Sequence, residues 1–562
     1  MPAVPRRFDY TVPDEAALVV GTRVKVPLQG RRVGGWVVAD RVEPPEGVVA
    51  QPVTRLFGHG PPPALVELAE WAAWRWAGPV AAFLRTASPD RVVERLPSPA
   101  PRPVVPAVAE HPEVAAGPGR PRLVRLAPVE DPLPVVEAVI ARAAGAPGGV
   151  LVLTPSVGWG ERLAERLRRR GVPVARDWAE AAAGWPVVVG SRAAAWAPLP
   201  RLAAAVVLDA HDEAYREERA PTWNAWEVVA ERAWRDGAPC VLVSPCPTVV
   251  QLSACDPWPP DRSTERAGWP ALTVVDRRGA DPRTGLYSEE LVRLAGSSDP
   301  TAERPLVCVL NRTGRARLLA CAACGELARC ERCGRPVATS DKGLRCARCD
   351  LGRPAVCAAC GGTRLKVLRP GVSRVREELA ALLGRAVGEV TSAEPEVRAE
   401  AVLVGTEAVL HRVRRAAAVV FLDVDQHLLA PRFAAGEEAL ALLARAGRLV
   451  GGRRDGGVVM VQTRLPDHVV LAAAVHGDPG LVSAPELALR RALALPPAAA
   501  LALASGPGAP ELAAHLVGVE VAPLGDDRFL VRAPDHVELC DALAAAGRPK
   551  GRLRLEVDPT DV

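Results

Sequence analysis

Eight cysteines between positions 321 and 360 offer the clearest chemistry in the sequence. They fall in four C-x-x-C pairs: Cys321/Cys324, Cys330/Cys333, Cys346/Cys349 and Cys357/Cys360. Each such turn presents two thiolates from one knuckle, and two knuckles complete the four-sulfur tetrahedron that Zn²⁺ takes in structural sites. Three knuckles run on into Gly325, Gly334 and Gly361, as a tight turn with positive φ requires. Five residues separate Cys324 from Cys330, whereas twelve separate Cys333 from Cys346, enough for a hairpin. This spacing favours a nested arrangement. The outer pairs (Cys321, Cys324, Cys357, Cys360) hold one ion and the inner pairs (Cys330, Cys333, Cys346, Cys349) the other. The expected cofactor is therefore zinc, two ions per chain, with no coordination position left open for catalysis. A redox dithiol, the alternative, does not use four repeated Gly-knuckled pairs. The other five of the 13 cysteines lie mostly beside apolar runs and read as packing.

A second stretch with chemical potential is VVLDAHDEAY at 206–215, four apolar residues running into Asp209, His211 and Asp212. Nucleic-acid motors end a buried strand in an Asp for Mg²⁺ and a Glu that positions water. Here Ala210 stands where that Glu belongs. If the HD pair and Tyr215 set the register instead, Leu208 replaces the metal-binding Asp as well. The stretch then reads as a buried strand ending in a solvated turn. A phosphate-binding loop needs Gly-rich backbone, a Lys for the β/γ charge and a Ser/Thr for Mg²⁺. The chain has only four Lys (Lys25, Lys342, Lys366, Lys550), and none follows a Gly.

The elements that must position these groups follow from patterning. At 562 residues, three to five domains are expected. Residues 6–40 alternate Val with Arg and Lys around Gly-rich turns, which predicts a small β module, followed by helix-spaced Leu, Trp and Ala over 63–95. Near-continuous Val/Leu runs alternating with helical segments predict two parallel α/β sheets, the second interrupted by the Cys-rich insertion. The expected division is 1–96, an N-terminal β-rich domain; 97–122, a Pro/Ala-rich linker; 123–270, a first α/β lobe; 271–479, a second lobe with a metal-binding insertion at 320–362; and 480–562, a small α+β domain. The net charge of +5 is too mild to prove a nucleic-acid partner. Residues 321–376, however, hold twelve Arg/Lys against four Asp/Glu, a local net of +8 that suits a phosphate-facing or partner-facing platform. No apolar run has transmembrane length, and MPAVPRRFDY lacks a signal-peptide core, which predicts a cytoplasmic protein without a membrane partner.

These segments together resemble the PriA family of bacterial replication-restart proteins over nearly the whole chain. FDYTVP with GTRVKVP resembles the family's 3′ DNA-binding domain, VVVGSRAAAWAPLPRLAAAVVLDAHDEAYREERAP its first helicase lobe, and VCVLNRTGRARLLACAACGELARCERC the entry into its zinc domain. LDVDQHLLAPRFAAGEEALALL resembles its second lobe and RLRLEVDP its C-terminal domain. The resemblance implies a multidomain α/β protein with two RecA-like helicase lobes and a double-zinc insertion with the nested pairing. Candidate DNA contacts in the first domain are Arg6, Phe8, Asp9, Tyr10, Arg23, Lys25 and Arg31; Trp71, Trp74 and Trp76 could stack bases, but their helical setting favours core packing. The chain departs from the family's ATP-dependent 3′→5′ helicases at the motor chemistry. RLAPVEDPLPVVEAV (125–139) stands in place of the phosphate loop with three prolines and no Gly, Lys or Ser/Thr, and RAGRLVGGRR (445–454) lacks the ordered Q-x-x-G-R-x-G-R of arginine fingers. No winged helix fits in the linker. Actinobacterial members have lost the motor motifs likewise. The expectation is a nucleoid-associated protein that recognises abandoned replication forks with 3′ nascent ends. It would have no catalytic or nucleotide-binding residues, and would serve primosome assembly, repair and recombination. Its expected partners are primosome proteins, the replicative helicase or its loader, and single-stranded DNA-binding protein. A weakly active helicase and a zinc scaffold with little DNA affinity are the competing expectations.

Overall fold

The computed structural model describes residues 7–12, 18–43, 49–100, 111–281, 285–310, 319–332, 334, 336–340, 343–346, 349, 351–367, 372–390, 400–430 and 432–560. The N-terminal module is a three-stranded antiparallel sheet in which the strand Arg23–Leu28 lies between Arg31–Trp36 and Arg55–Leu56. Gln29 and Gly30 both have positive φ (49° and 75°), the two-residue turn whose twist matches a hairpin. Two helices, Pro63–Arg75 and Val80–Ala87, complete the module.

The first lobe is a six-stranded, all-parallel sheet. Its strands run in the order Asp256–Trp258, Arg122–Val124, Cys240–Val243, Leu202–Leu208, Gly149–Leu153 and Val187–Gly190. Leu202–Leu208 and Gly149–Leu153 are buried at every position, because helices cover both faces. The helix Val157–Arg169 shows why these segments become helical. Ser156 caps it by accepting from the Trp159 N–H, and Leu163, Ala164 and Leu167 form its buried stripe. Three Arg in the last turn face the negative end of its dipole. The second lobe is again six-stranded and parallel, in the order Ala271–Asp276, Val458–Thr463, Ala418–Phe421, Leu306–Val309, Val402–Gly405 and Gly388–Val390. The two lobes are RecA-like. The Cys-rich insertion leaves the second lobe after Leu306–Val309 and returns before the helix Val372–Leu383. A four-stranded antiparallel sheet spanning Ala500 to Val557 closes the chain.

Two differences from the patterning stand out. The helix Gly480–Ala492, expected to open the C-terminal domain, belongs with the second lobe. Its Val482 lies in that lobe's core, and its Arg490, 1% exposed, pairs with Glu437. An isolated periodic segment does not reveal which neighbour its apolar stripe will meet. The expected linker is not wholly free of the fold either. Its residues 101–110 lie outside the described residues, but Val114 packs into the first lobe's core. The core packing expected from the helical setting of the tryptophans is present: Trp76 is 1% exposed and starts an aromatic ladder. Its ring lies 6.5 Å from Phe83, Phe83 lies 5.5 Å from Trp196, and Trp196 lies 5.9 Å from Trp223. Trp71 packs edge-on against Trp76 at 5.4 Å, and the Trp74 indole donates to Asp541 at 2.8 Å. All three tryptophans are used to join domains.

One buried cation sits at that junction. Arg75, on the N-terminal module, donates to Glu227 of the first lobe and Asp558 of the C-terminal domain, both at 2.8 Å. Burial alone would raise the Asp558 carboxyl, but Arg75 and His536 together hold it well below the usual carboxylate range. Removing the cation leaves two carboxylates facing each other away from water. Arg75→Ala should therefore cost about 3 kcal/mol, read as a lowered thermal midpoint and faster proteolytic release of the C-terminal domain. An unchanged midpoint would show that the guanidinium does not hold the three parts together.

Candidate nucleic-acid interface and metal centres

The insertion is rooted by the strand Leu319–Cys321, which pairs antiparallel with Leu365–Val367. This pairing brings the outer knuckles together. The Sγ atoms of Cys321 and Cys360 lie 3.6 Å apart, as do those of Cys324 and Cys357. Further out, the hairpin Val337–Ser340/Gly343–Cys346 folds the inner knuckles onto each other, with Cys330 and Cys349 Sγ atoms 3.4 Å apart and Cys346 beside them. Cys333 lies outside the described residues. The two clusters, Cys321/Cys324/Cys357/Cys360 and Cys330/Cys346/Cys349, could each hold a metal ion. Thiolates around Zn²⁺ at about 2.3 Å stand about 3.8 Å from one another, so the sulfurs need only a small adjustment to fit it. The knuckle glycines Gly325, Gly334 and Gly361 all take positive φ (77°, 69° and 72°), and each N–H donates back to the first cysteine's carbonyl. Backbone N–H groups of Cys324 and Ala323 pull the Cys321 thiol down, while at Cys324 the Glu326 N–H is outweighed by the neighbouring sulfurs, which push that thiol up, so the two share the site's negative charge unequally.

Between this module and the second lobe lies an open cleft of about 720 Å³ lined by Arg278, Arg329, Arg464 and His468. Glu326, Glu331 and Asp467 line it too, so its charge is mixed.

In the N-terminal module, Tyr10 lies in a short strand beside Gln51–Pro52, and its hydroxyl donates to the Pro27 carbonyl at 2.9 Å. Phe8 and Asp9 precede that strand, and Phe8 is 46% exposed. Arg6 lies outside the described residues. The hairpin register separates the remaining basic residues. Lys25 pairs with Gly34 and Arg23 with Trp36, so these share one face. Arg31 pairs with Leu28 on the other face, the side of buried Val24 and Val26. Two residues the sequence reading passed over join Arg23 and Lys25: Arg32, opposite Pro27, and Arg55, opposite Lys25. The two-residue Gln-Gly turn would have revealed Arg32, since it fixes which strand positions face each other.

Where a motor holds nucleotide, the two lobes grip each other. Asp209 has a left-handed backbone (φ 49°) and is 5% exposed. It does not end in a solvated turn. Both its oxygens accept from Arg448 of the second lobe, one at 2.9 Å. Asp212 accepts from Arg445 at 2.9 Å, so the arginine-rich stretch meets the acidic stretch directly. Burial would raise the Asp209 carboxyl, and Arg448 more than offsets this, holding it below the usual range. Arg448 also donates to the Pro128 carbonyl at 3.0 Å and lies 5.0 Å from the Trp159 ring. The loop in the phosphate-binding position supplies its own anions. Glu130 accepts from the Ala127 N–H at 2.7 Å and Asp131 from the Leu133 N–H at 3.1 Å. Pro128, Pro132 and Pro134 have no N–H to offer. Gly447, on the second lobe, packs so closely on Pro270 that an added Cβ would lie 2.8 Å from it, with Pro128 in ordinary contact at 3.6 Å.

This clasp yields a measurable coupling. Asp209→Ala and Arg448→Ala should each destabilise the chain by about 3 kcal/mol. The double variant should cost little more than the worse single, a coupling of about 2 kcal/mol by denaturant unfolding. Additive losses would show that the pair does not act as a unit. The folded pKa of Asp209 lies below the unfolded one, so the clasp's contribution is complete above about pH 4 and is lost as pH falls through the lower folded value.

Comparison with known proteins agrees with this architecture. Residues 1–89 match the PriA family model described as the 3′DNA-binding domain. The chain is 29% identical to the "Probable replication restart protein PriA" of Mycobacterium tuberculosis, over 100% of this chain and 92% of that protein. It is 32% identical to the Mycobacterium leprae protein of that name over 57% of this chain, and 26% identical to the "Replication restart protein PriA" of Bacillus subtilis over 56%. Those two alignments span only about half of the relatives' own lengths, 52% and 43%. A 3′DNA-binding domain, two six-stranded parallel lobes, a Cys-rich insertion with two candidate metal sites and a mycobacterial relative matched along the whole chain lead to one conclusion: residues 1–89 form a PriA 3′DNA-binding domain, and the chain is similar throughout to PriA replication restart proteins.

Proposed function

We propose that this chain recognises stalled or abandoned replication forks and promotes primosome assembly without hydrolysing ATP. One observation carries the second half of that reading. The groups that would receive a triphosphate are occupied by protein: Asp209 by Arg448, the Ala127 and Leu133 N–H groups by Glu130 and Asp131. A nucleotide would have to displace a buried ion pair and meet two carboxylates, with no Lys or Gly-rich loop in return.

Fork binding rests on the N-terminal module. Phe8, Asp9 and Tyr10, with Arg6, would meet a nascent 3′ end, and Arg23 and Lys25 its phosphates. Such binding depends on phosphate contacts and base stacking, not on sequence readout. The Cys-rich module, in this reading, carries two structural Zn²⁺ and presents its basic surface to DNA or to primosome proteins, the replicative helicase or its loader, and single-stranded DNA-binding protein. Among the described residues no helix is long and apolar enough to cross a membrane, in keeping with work at the nucleoid.

ATP hydrolysis measured on branched DNA with a free nascent 3′ end, with fork affinity recorded in the same samples, should show tight binding and no DNA-stimulated turnover. Robust turnover would mean that the cleft opens and the chain is a motor. The purified chain should carry two zinc ions by elemental analysis. A strong chelator should release both and unfold the Cys-rich module, seen as new protease cuts within 319–367 while the lobes stay intact. Full retention of structure after metal loss would exclude a structural role.

A further inference from the structure

We infer that the face of the N-terminal sheet bearing Arg23 and Lys25 is, beyond the Trp36 row that packs on Ser88, a track for the phosphodiester backbone of a DNA strand, with Arg32 and Arg55 as contact residues beside them. The inference rests on the fork-binding reading and extends it from the terminal nucleotide to the strand that leads up to it.

The register builds a small grid. In one row Arg55, Lys25 and Gly34 lie side by side across three strands. In the next, Phe57 follows Arg55 along its segment and hydrogen-bonds to Arg23, its N–H donating to the Arg23 carbonyl at 2.7 Å. Arg32 sits one row further, opposite Pro27. Successive cations on one strand face, such as Arg23 and Lys25, stand about 6.8 Å apart, comparable to the spacing of neighbouring phosphates on one strand. Arg32 and Arg55 are exposed, and among the described residues none of the four cations is in a salt bridge. Arg23 donates to the Pro89 carbonyl at 2.9 Å, a neutral acceptor that leaves its charge uncompensated. The Phe57 ring lies beneath the Arg23 guanidinium at 5.0 Å and the Lys25 ammonium at 5.4 Å, which holds both heads over the face. Gly34 contributes no side chain, and a Cβ there would meet nothing within 4 Å, so a strand can approach the backbone. Cations without acids, an aromatic ring among them and a flat glycine are what an extended polyanion requires. Arg31, on the opposite face, is outside the track.

The test uses the full chain and fluorescently labelled partial duplexes ending in a 3′ hydroxyl or a 3′ phosphate, titrated across a salt series. For Arg32→Gln/Arg55→Gln the slope of log K against log salt should shrink by about 1.4 to 1.8, two phosphate contacts' worth. The loss of affinity should be the same on both ends, because the track reads backbone and not the terminus. Gly34→Glu, which puts a carboxylate into open space at the centre of the grid, should weaken binding about tenfold with an unchanged thermal midpoint. Phe8→Ala, by contrast, should lower affinity mainly for the 3′-hydroxyl end. If the parent binds DNA while both track variants keep its slope and affinity, or lose affinity for the 3′-hydroxyl end alone, the track is wrong. A parent that binds neither duplex overturns the fork-binding reading itself, and the track with it.

Discussion

The ion pair between Asp209 and Arg448 is the constraint on which the two-lobe arrangement depends. A carboxylate buried at the end of a central strand must be neutralised, protonated or paired. In a working motor Mg²⁺ does the neutralising, and the ion arrives and leaves with nucleotide. Here the partner is covalently part of the chain and comes from the other lobe. A contact that would be transient becomes permanent. Other cross-lobe contacts reinforce it: Arg445 with Asp212, Glu437 accepting from the Val249 N–H at 2.6 Å, and Arg262 with Asp478 at 3.2 Å. The two lobes are thus joined across their cleft by several charged contacts.

The same lobe 1 surface anchors the rest of the molecule. One hydrophobic cluster takes in the N-terminal helices, the first lobe and the C-terminal sheet, with Trp76, Phe83 and Trp196 at its centre. Arg75 supplies the single charged node of that junction. The N-terminal module is fixed through its helices, and the cation-bearing face of its sheet meets them at one end, where Arg23 donates to the Pro89 carbonyl and the Trp36 indole to Ser88.

The Cys-rich module is stabilised differently. Its own apolar cluster consists of Leu319, Ala328, Val337 and Leu344 with Cys330 and Cys346, too little to order a segment of this length by burial. The two sulfur clusters could each hold a metal ion, and structural Zn²⁺, which contributes about 10 kcal/mol or more where it binds, would supply what the core cannot.

Much of this was legible in the sequence, for physical reasons that differ by site. The cysteine nesting could be read because knuckle spacing and a twelve-residue hairpin are local properties of the chain. The parallel strands could be read because a strand buried on both faces must be apolar throughout. Loss of the phosphate loop followed from proline, which cannot donate an N–H in any fold. What fills the resulting space was not legible. Asp209 and Arg448 are 239 residues apart, and nothing local distinguishes a carboxylate that faces water from one that meets a guanidinium of another lobe. The neighbour of the helix Gly480–Ala492 was hidden for a similar reason, since a stripe records that a partner exists and not which one. Arg31 and Arg32 are adjacent in sequence, yet the pleat sends one to each face. Composition and spacing determined the paired cysteine clusters and the absence of a Gly/Lys phosphate loop. Long-range pairing of charges and strand register, which exist only once the chain has folded, decided how the lobes are closed and which cations point outward together.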